Sequence, residues 1–150
     1  MATSTFVYVT YIRATPEKLW SALTTDVAFM RQYWFGMFCE SQWTAGASWK
    51  FVTGDGQIVG AGEIIEAEPL RRLAIQWRHQ LRPELKAEGA LHRTIEVEPK
   101  GTAVKLSITD TLEREHSKFI EAQSEGWPKT ISNLKSLLET GSIVLHDFKS

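Results

Sequence analysis

Three residues with the potential for polar chemistry lie in three different predicted strands. His79 ends one of them, Arg93 lies in the next, and Asp110 lies near the end of the last. The alternation of each strand places all three side chains on the face that otherwise carries large apolar residues. A charged arginine on such a face needs a partner, and a simple hairpin register puts it beside Trp77 and Ile108, with Asp110 one position away diagonally. The group could orient a carboxylate, phenol or carbonyl of a ligand, or it could be a structural ion pair.

Aromatic residues are the second unusual feature. The 150 residues include six Trp, seven Phe and three Tyr. Side chains of this size either fill a bulky core or line a cavity. Strand parity and helix position select those we expect to face the interior, together with the polar residues beside them: Trp20, Phe29, Trp34, Trp49, Phe51, Trp77, His79, Arg93, Asp110, Phe119, Gln123 and Trp127.

Other kinds of reactive site fit the sequence poorly. No two of its four histidines are spaced i, i+4 on one helix, and His79 and His92 have opposite strand parity, so we expect no metal site. The single cysteine, Cys39, excludes an internal disulfide and is expected to be a small buried thiol. The glycines around Asp55 form a hairpin turn and not a phosphate-binding loop. We therefore assign no catalytic residue, metal or cofactor.

The elements that must position these residues are mostly strands. Residues 6–12 are β-branched and aromatic, and two short helices follow, one begun by Thr15-Pro16 and one by Thr25-Asp26. From Trp34 to Thr111 strand patterns alternate with short turns, apart from a polar loop from Arg82 to Gly89. Short links require antiparallel pairing, which predicts a sheet of about seven strands.

A long helix is predicted after the last strand, from about Glu115 to Thr140. Its apolar residues are spaced by three, four or seven and share one face. Gly60 and Gly62 are expected to bend the sheet, which would leave a cavity beneath this helix. Gly126-Trp127-Pro128 predicts a kink or restart within the helix. The tail, 141–150, is expected to be docked or loosely ordered.

Length and charge limit the class of protein. One domain covering 1–150 is expected at this length. There are 17 Lys+Arg against 18 Asp+Glu, so no basic surface favours nucleic acid. The N-terminus alternates like a strand and does not have the form of a secretion signal, and no apolar run is long enough to span a membrane. We expect a cytoplasmic protein, either a monomer or a homodimer.

The order of elements and several motifs resemble the START-like (Bet v 1-like, SRPBCC) superfamily, and more narrowly the family of the C-terminal domain of the activator of Hsp90 ATPase, Aha1. The matching segments extend over about residues 5–140. They are Thr15-Pro16-Glu17-Lys18-Leu19-Trp20-Ser21-Ala22-Leu23-Thr24, Tyr33-Trp34-Phe35-Gly36, Gly46-Ala47-Ser48-Trp49-Lys50-Phe51, Asp55-Gly56, residues 64–73 and Glu125-Gly126-Trp127. The resemblance implies an α+β helix-grip fold, in which a curved antiparallel sheet wraps a long C-terminal helix.

Three functional hypotheses follow. The first is a protein that binds a hydrophobic or aromatic small molecule in a cavity between sheet and helix, with a role in the stress response. The second, implied by the resemblance, is a chaperone-interaction module with an occluded core. The third is a cyclase- or hydrolase-like enzyme in which His79, Arg93 or Asp110 acts as acid or base.

Overall fold

The computed structural model describes residues 2–149, and their helices and strands follow one another in the order that the sequence predicts. They are β1 (Ser4–Ile12), α1 (Pro16–Leu23), α2 (Val27–Tyr33), β2 (Phe38–Ser41), β3 (Ser48–Val52), β4 (Ile58–Glu68), β5 (Arg72–His79), α3 (Pro83–Lys86), β6 (Leu91–Lys100), β7 (Ala103–Leu112) and α4 (Lys118–Thr140). The predicted helix-grip fold is confirmed. One difference is α3, a single helical turn inside the predicted polar loop, where Leu85 is buried in the core.

The strands form one antiparallel sheet in the order β1-β7-β6-β5-β4-β3-β2. The first strand of the chain therefore has a single strand neighbour, which is the last: Ser4 pairs with Leu112 and Ile12 with Val104. Side chains alternate along β5, β6 and β7, and the buried set of each strand faces α4. The core thus lies between the concave face of the sheet and this helix.

The two glycines of β4 make room for a tryptophan. A Cβ atom on Gly60 would lie 2.3 Å from the Trp77 ring, and one on Gly62 would lie 1.9 Å from the backbone oxygen of Gln76. One irregularity in pairing lies beside Gly60, where Phe51 pairs with Gly60 but Val52 pairs with Ile58, and a second lies between Ile64 and Glu66. Bulges of this kind bend a strand and increase its twist. The glycines also allow Trp77 to lie across β4.

Helix α4 is continuous through Pro128, so the predicted restart of the helix at this position is wrong. Proline removes one backbone hydrogen bond, but most helical stability in proteins comes from the packing of the apolar face. Trp127 and Ile131, on either side of the proline, are both buried against the sheet. Their burial offsets the missing bond.

Helix α4 is capped at both ends, by a side chain at its start and by the backbone of a glycine at its end. Ser117 Oγ accepts from the Ile120 N–H at 3.0 Å, so the helix begins later than predicted, and Gly141 ends it in the left-handed conformation. The Glu88 carboxylate also accepts hydrogen bonds from the Ser117 hydroxyl and from the backbone N–H groups of Lys118 and Phe119. Glu88 thereby joins the segment after α3 to the first turn of α4.

Candidate functional site

The centre of the candidate site is a buried ion pair between β6 and β7. The side chains of Arg93 and Asp110 are 3% and 0% exposed. Arg93 Nε donates to Asp110 Oδ1 at 2.8 Å, and Nη2 donates to Oδ2 at 3.2 Å. This two-point contact neutralises both charges in a place where either alone would be strongly unfavourable.

The register of the last hairpin differs from the prediction by two residues. Arg93 pairs with Asp110 and not with Ile108. The hairpin remains paired up to Lys100 and Ala103, so its turn has only two residues and lies further along the chain than expected. A shift of two residues keeps every side chain on its face, which is why the expected partner is still the one found.

Helix α4 supplies two further partners for the ion pair. Arg93 Nη2 donates to Gln123 Oε1 at 2.8 Å, and Trp127 Nε1 donates to Asp110 Oδ2 at 3.1 Å. The guanidinium carbon lies 4.6 Å from the centroid of the Trp127 ring and 5.2 Å from that of Trp77. Arg93 is therefore stabilised by cation–π contacts with two indoles as well as by its carboxylate.

Some donors of this cluster have no partner among residues 2–149. Arg93 Nη1 makes no hydrogen bond with them, and the buried Trp49 Nε1 is likewise unpaired. Both residues line a small void between sheet and helix whose volume is only about 10 Å³. That is room for about one water molecule. In this conformation the interior is filled by side chains, and the expected large cavity is absent from the described part of the molecule.

A larger pocket lies on the outer side of Trp34 and Trp127, whose rings are 5.2 Å apart and line both spaces. We call it the mouth pocket. Its volume is about 180 Å³. Its lining residues are Trp34, Met37, Phe51, Val59, His79, Ala122, Gln123, Gly126, Trp127, Thr130 and Phe148.

His79 is the one titratable residue among those that line the mouth pocket. Its Nδ1 accepts hydrogen bonds from the backbone N–H groups of Leu81 at 3.2 Å and Arg82 at 3.1 Å. Burial lowers the pKa of His79 below its usual value, and the positive charge of Arg82 lowers it further. The ring is therefore neutral near pH 7, and because Nδ1 is the acceptor, the proton is on Nε2.

The chain after α4 folds back and forms one wall of the mouth pocket. The buried Asn133 holds it: Oδ1 accepts from the N–H groups of Val144 at 2.9 Å and Leu145 at 2.8 Å, while Nδ2 donates to the Leu145 carbonyl at 2.8 Å. Phe148 then packs edge-on against Phe35, with ring centroids 5.6 Å apart. Lys129 Nζ donates to the Phe148 carbonyl at 2.7 Å.

The sequence matches the model of one protein family over residues 13–139, described as Activator of Hsp90 ATPase homolog 1-like protein. The chain belongs to this family. The resemblance identified from the sequence motifs is thus confirmed. No curated protein matches the chain significantly.

Several solved structures share the fold of this chain at low sequence identity. A protein of Mesorhizobium loti is 21% identical, with 93% of this chain and 100% of that one covered and a TM-score of 0.77. The Aha1 dimer from Colwellia psychrerythraea is 19% identical, with 92% and 98% covered and a TM-score of 0.72. An HSP90 activator from Plasmodium falciparum is 19% identical, with 90% and 96% covered and a TM-score of 0.71.

Ten of the twelve residues predicted from the sequence occupy three places in this family member. Gln123, Trp127, Arg93 and Asp110 form the hydrogen-bonded cluster, and Trp34, Phe51 and His79 line the mouth pocket beside it. Trp49, Trp77 and Phe119 are buried in the aromatic core next to Arg93. Trp20 is half-buried and absent from the walls of either space, and Phe29 lines a separate surface groove with Asp26 and Leu138.

Cys39 is buried and lines the interior void. Burial raises the pKa of its thiol to about 12, although the positive charge of Arg93 acts in the opposite direction. A thiol with so high a pKa is protonated at neutral pH and is a poor nucleophile. Its position in the structure is that of a small apolar core residue.

Two observations concern wider classes of function. Residues 2–149 contain no group of three or more His, Cys, Asp or Glu side chains arranged to hold a metal ion. No helix in the same part of the chain has both the length and the apolar character needed to cross a membrane.

Several residues of the mouth pocket were not predicted. Thr130 lies on α4 one helical turn from Trp127, so the helical period could have indicated it. Met37 and Val59 lie near strand ends, where parity gives little guidance. Phe148 and its anchor Asn133 could not be found by any local signal, because their contact depends on how the tail folds back.

Proposed function

We propose that the protein binds a small aromatic molecule in the mouth pocket. The observation that carries the proposal is the position of this pocket, which lies between aromatic walls and directly outside the Arg93–Asp110–Gln123 cluster. Ligand sites are typically apolar concavities with a few well-placed polar groups, and this pocket has that composition.

The volume of the pocket sets the size of the ligand. A cavity of about 150 Å³ is enough to hold benzene, so a space of about 180 Å³ suits a single ring. A larger ligand requires Trp34 and Trp127 to move, because their rings separate this pocket from the interior void. The same two rings offer faces for stacking on the ligand.

Tryptophan fluorescence tests the proposal, because two of the lining residues are tryptophans. Titration with single-ring aromatics such as toluene is expected to change the emission saturably. Ala122→Leu adds three carbons inside the pocket and is expected to weaken binding at least tenfold. Glu121→Leu, one position earlier on the exposed side of α4, is the control and should bind as the parent does. Saturable binding that Ala122→Leu leaves unchanged would place the ligand elsewhere and contradict the proposal.

A contact with a chaperone is the second candidate function. The interior void of about 10 Å³ agrees with the occluded core that this function predicts. The outer face of β1 also exposes Val7, Val9 and Tyr11, by 57%, 46% and 52%. We propose a cytoplasmic location for either function, and a stress-related role for the ligand-binding function. Mixing the purified protein with an Hsp90 chaperone and measuring ATP hydrolysis tests it, with a Val7→Ser/Val9→Ser variant as control. If the parent protein does not change the rate of ATP hydrolysis by the chaperone, this candidate function is excluded.

The enzymatic alternative has a narrower basis. Both carboxylate oxygens of Asp110 accept hydrogen bonds inside the protein, so this residue cannot take a proton from a ligand without breaking the cluster. Arg93 is engaged by the same carboxylate. Only His79 Nε2 remains as a proton-transfer group on the mouth pocket, and no second acid or base among the described residues lines it.

A further inference from the structure

The polar groups available to a ligand in the mouth pocket are predominantly hydrogen-bond donors. Gln123 Oε1 is occupied by Arg93, which turns the side-chain NH₂ group away from the guanidinium. His79 Nδ1 is occupied by two backbone N–H groups, which leaves Nε2–H. Neither Gln123 Nε2 nor His79 Nε2 has a hydrogen-bond partner among residues 2–149, and the hydroxyl of Thr130 can donate as well as accept.

The other acceptors near the site are already in use, which leaves the Thr130 hydroxyl as the acceptor open to a ligand. Asp110 Oδ1 accepts from Arg93, and Oδ2 accepts from both Arg93 and Trp127. The backbone carbonyl of Val59, another lining residue, accepts from the N–H of Gln80 at 2.7 Å. A ligand whose donor does not meet the Thr130 hydroxyl would therefore leave both that donor and the protein's own donors unpaired, which is unfavourable for buried groups.

The charges of the residues around the mouth pocket restrict the class of ligand further. Arg93 is neutralised by Asp110, His79 is neutral, and the described lining contains no other ionisable side chain. Lys129, on the rim, is engaged with the carbonyl and the ring of Phe148. A carboxylate or ammonium ion would enter this pocket without a counter-charge, which is unfavourable.

We infer that the ligand is a neutral aromatic carbonyl compound, an inference that rests on the proposed function. The ring of the ligand lies between the aromatic walls of the pocket. Its carbonyl oxygen accepts hydrogen bonds from Gln123 and His79. The bond from the guanidinium to Gln123 Oε1 polarises the amide and strengthens its N–H groups as donors. Gln123 thereby connects the buried charge to the ligand and determines which polar group the pocket accepts.

A matched set of single-ring probes tests this inference. Acetophenone carries the carbonyl oxygen, cumene replaces it with a methyl group, 1-phenylethylamine replaces it with an ammonium group, and benzoate carries a negative charge. Acetophenone is expected to bind at least threefold more tightly than cumene, and both charged probes more weakly than cumene. Binding is followed by tryptophan fluorescence and calorimetry.

Gln123→Glu reverses the polarity of the pocket with little change in shape. Glutamate can still accept from Arg93, but its second oxygen presents an acceptor where the amide presented donors. We expect this variant to lose the preference for acetophenone over cumene and to bind 1-phenylethylamine more tightly than the parent does. Gln57→Glu, in the exposed turn between β3 and β4, is the control and should leave the ranking unchanged.

The outcomes separate this inference from the proposed function. If none of the four probes binds, the proposed pocket function fails and the inference fails with it. If cumene binds as tightly as acetophenone and Gln123→Glu changes nothing, the pocket function stands and the inference is overturned. Tightest binding of benzoate would also overturn it, because the ligand would then be an anion.

Discussion

Trp127 and Asp110 join α4 to the sheet through a hydrogen bond of 3.1 Å, and the same carboxylate is the partner of Arg93. One buried aspartate therefore connects β6, β7 and the long helix. The indole that reaches it also lines the mouth pocket. The structural ion pair and the candidate ligand site thus share a residue, and their energetics should be coupled.

Removing one partner of the ion pair should lower the free energy of unfolding strongly, whereas replacing both partners by apolar residues should lower it much less. Asp110→Leu leaves the Arg93 charge buried without its partner, and we expect a loss of about 3–5 kcal/mol in the free energy of unfolding. Arg93→Met together with Asp110→Leu should lose less than the single variant. Urea denaturation measures both. A double variant no more stable than the single one would show that the unpaired charge of Arg93 is not the cause of the loss.

Two glycine-to-alanine substitutions should have opposite effects. At Gly62 a Cβ atom would meet backbone atoms of β5, so we expect a loss of about 1–3 kcal/mol or more. At Gly126 the nearest atom to a Cβ is 3.7 Å away on Phe148, and alanine should stabilise α4 by about 1 kcal/mol. Thermal unfolding of the pair measures the contrast. Equal shifts would show that β4 and β5 can move apart at Gly62.

His79 should make stability depend on pH on the acid side of neutrality. Its pKa is lower in the folded protein than the unfolded value of about 6.5, so the unfolded chain binds the proton more readily. The contribution is complete above pH 6.5 and is lost as the pH falls below it. His79→Asn, whose Oδ1 can replace Nδ1 as acceptor, should lose less stability than the parent between pH 7.5 and 5.5. If the free energies of unfolding of the parent and of His79→Asn fall equally over this pH range, His79 is not the cause of the pH dependence.

Protonation of Glu88 should make the free energy of unfolding depend on pH in a second, lower range. Burial alone would raise the pKa of Glu88, but hydrogen bonds from Ser117, Lys118 and Phe119 lower it below its usual value. Its contribution is therefore complete above about pH 4.5 and is lost as the pH falls through the lowered pKa. Glu88→Gln should reduce stability at pH 7 and flatten the curve below pH 5. Unfolding curves at pH 7, 5 and 4 measure both effects.

Asn133 should control whether the tail stays against the mouth pocket. Asn133→Ala removes the acceptor of the Val144 and Leu145 N–H groups, and we expect these amides to exchange hydrogen at least tenfold faster. Phe148 should then leave the pocket wall, which weakens ligand binding. Ser132→Ala, on the exposed side of the same turn, is the control. Unchanged exchange in Asn133→Ala would show that other contacts hold the tail.

Strand parity was sufficient to predict which face of the sheet carries the polar residues, and the reasons are physical. His79, Arg93 and Asp110 share the inner face because side chains alternate strictly along a strand, and this result survives the two-residue error in register. The filled interior could not be predicted in the same way. Whether tryptophans line a cavity or close it depends on their rotamers, and those depend on contacts between distant elements, such as that of Trp34 with Trp127.

The pairing of β1 with β7 has a consequence for synthesis of the chain. The first strand of this sheet to be synthesised has its only strand partner about a hundred residues later, since Ser4 pairs with Leu112. Until β7 has emerged, β1 is an unpaired edge with Val7, Val9 and Tyr11 on one face, the kind of segment that associates with other chains. The sheet can therefore close only after β7 has been made, so premature termination before β7 should yield aggregates instead of a smaller folded unit.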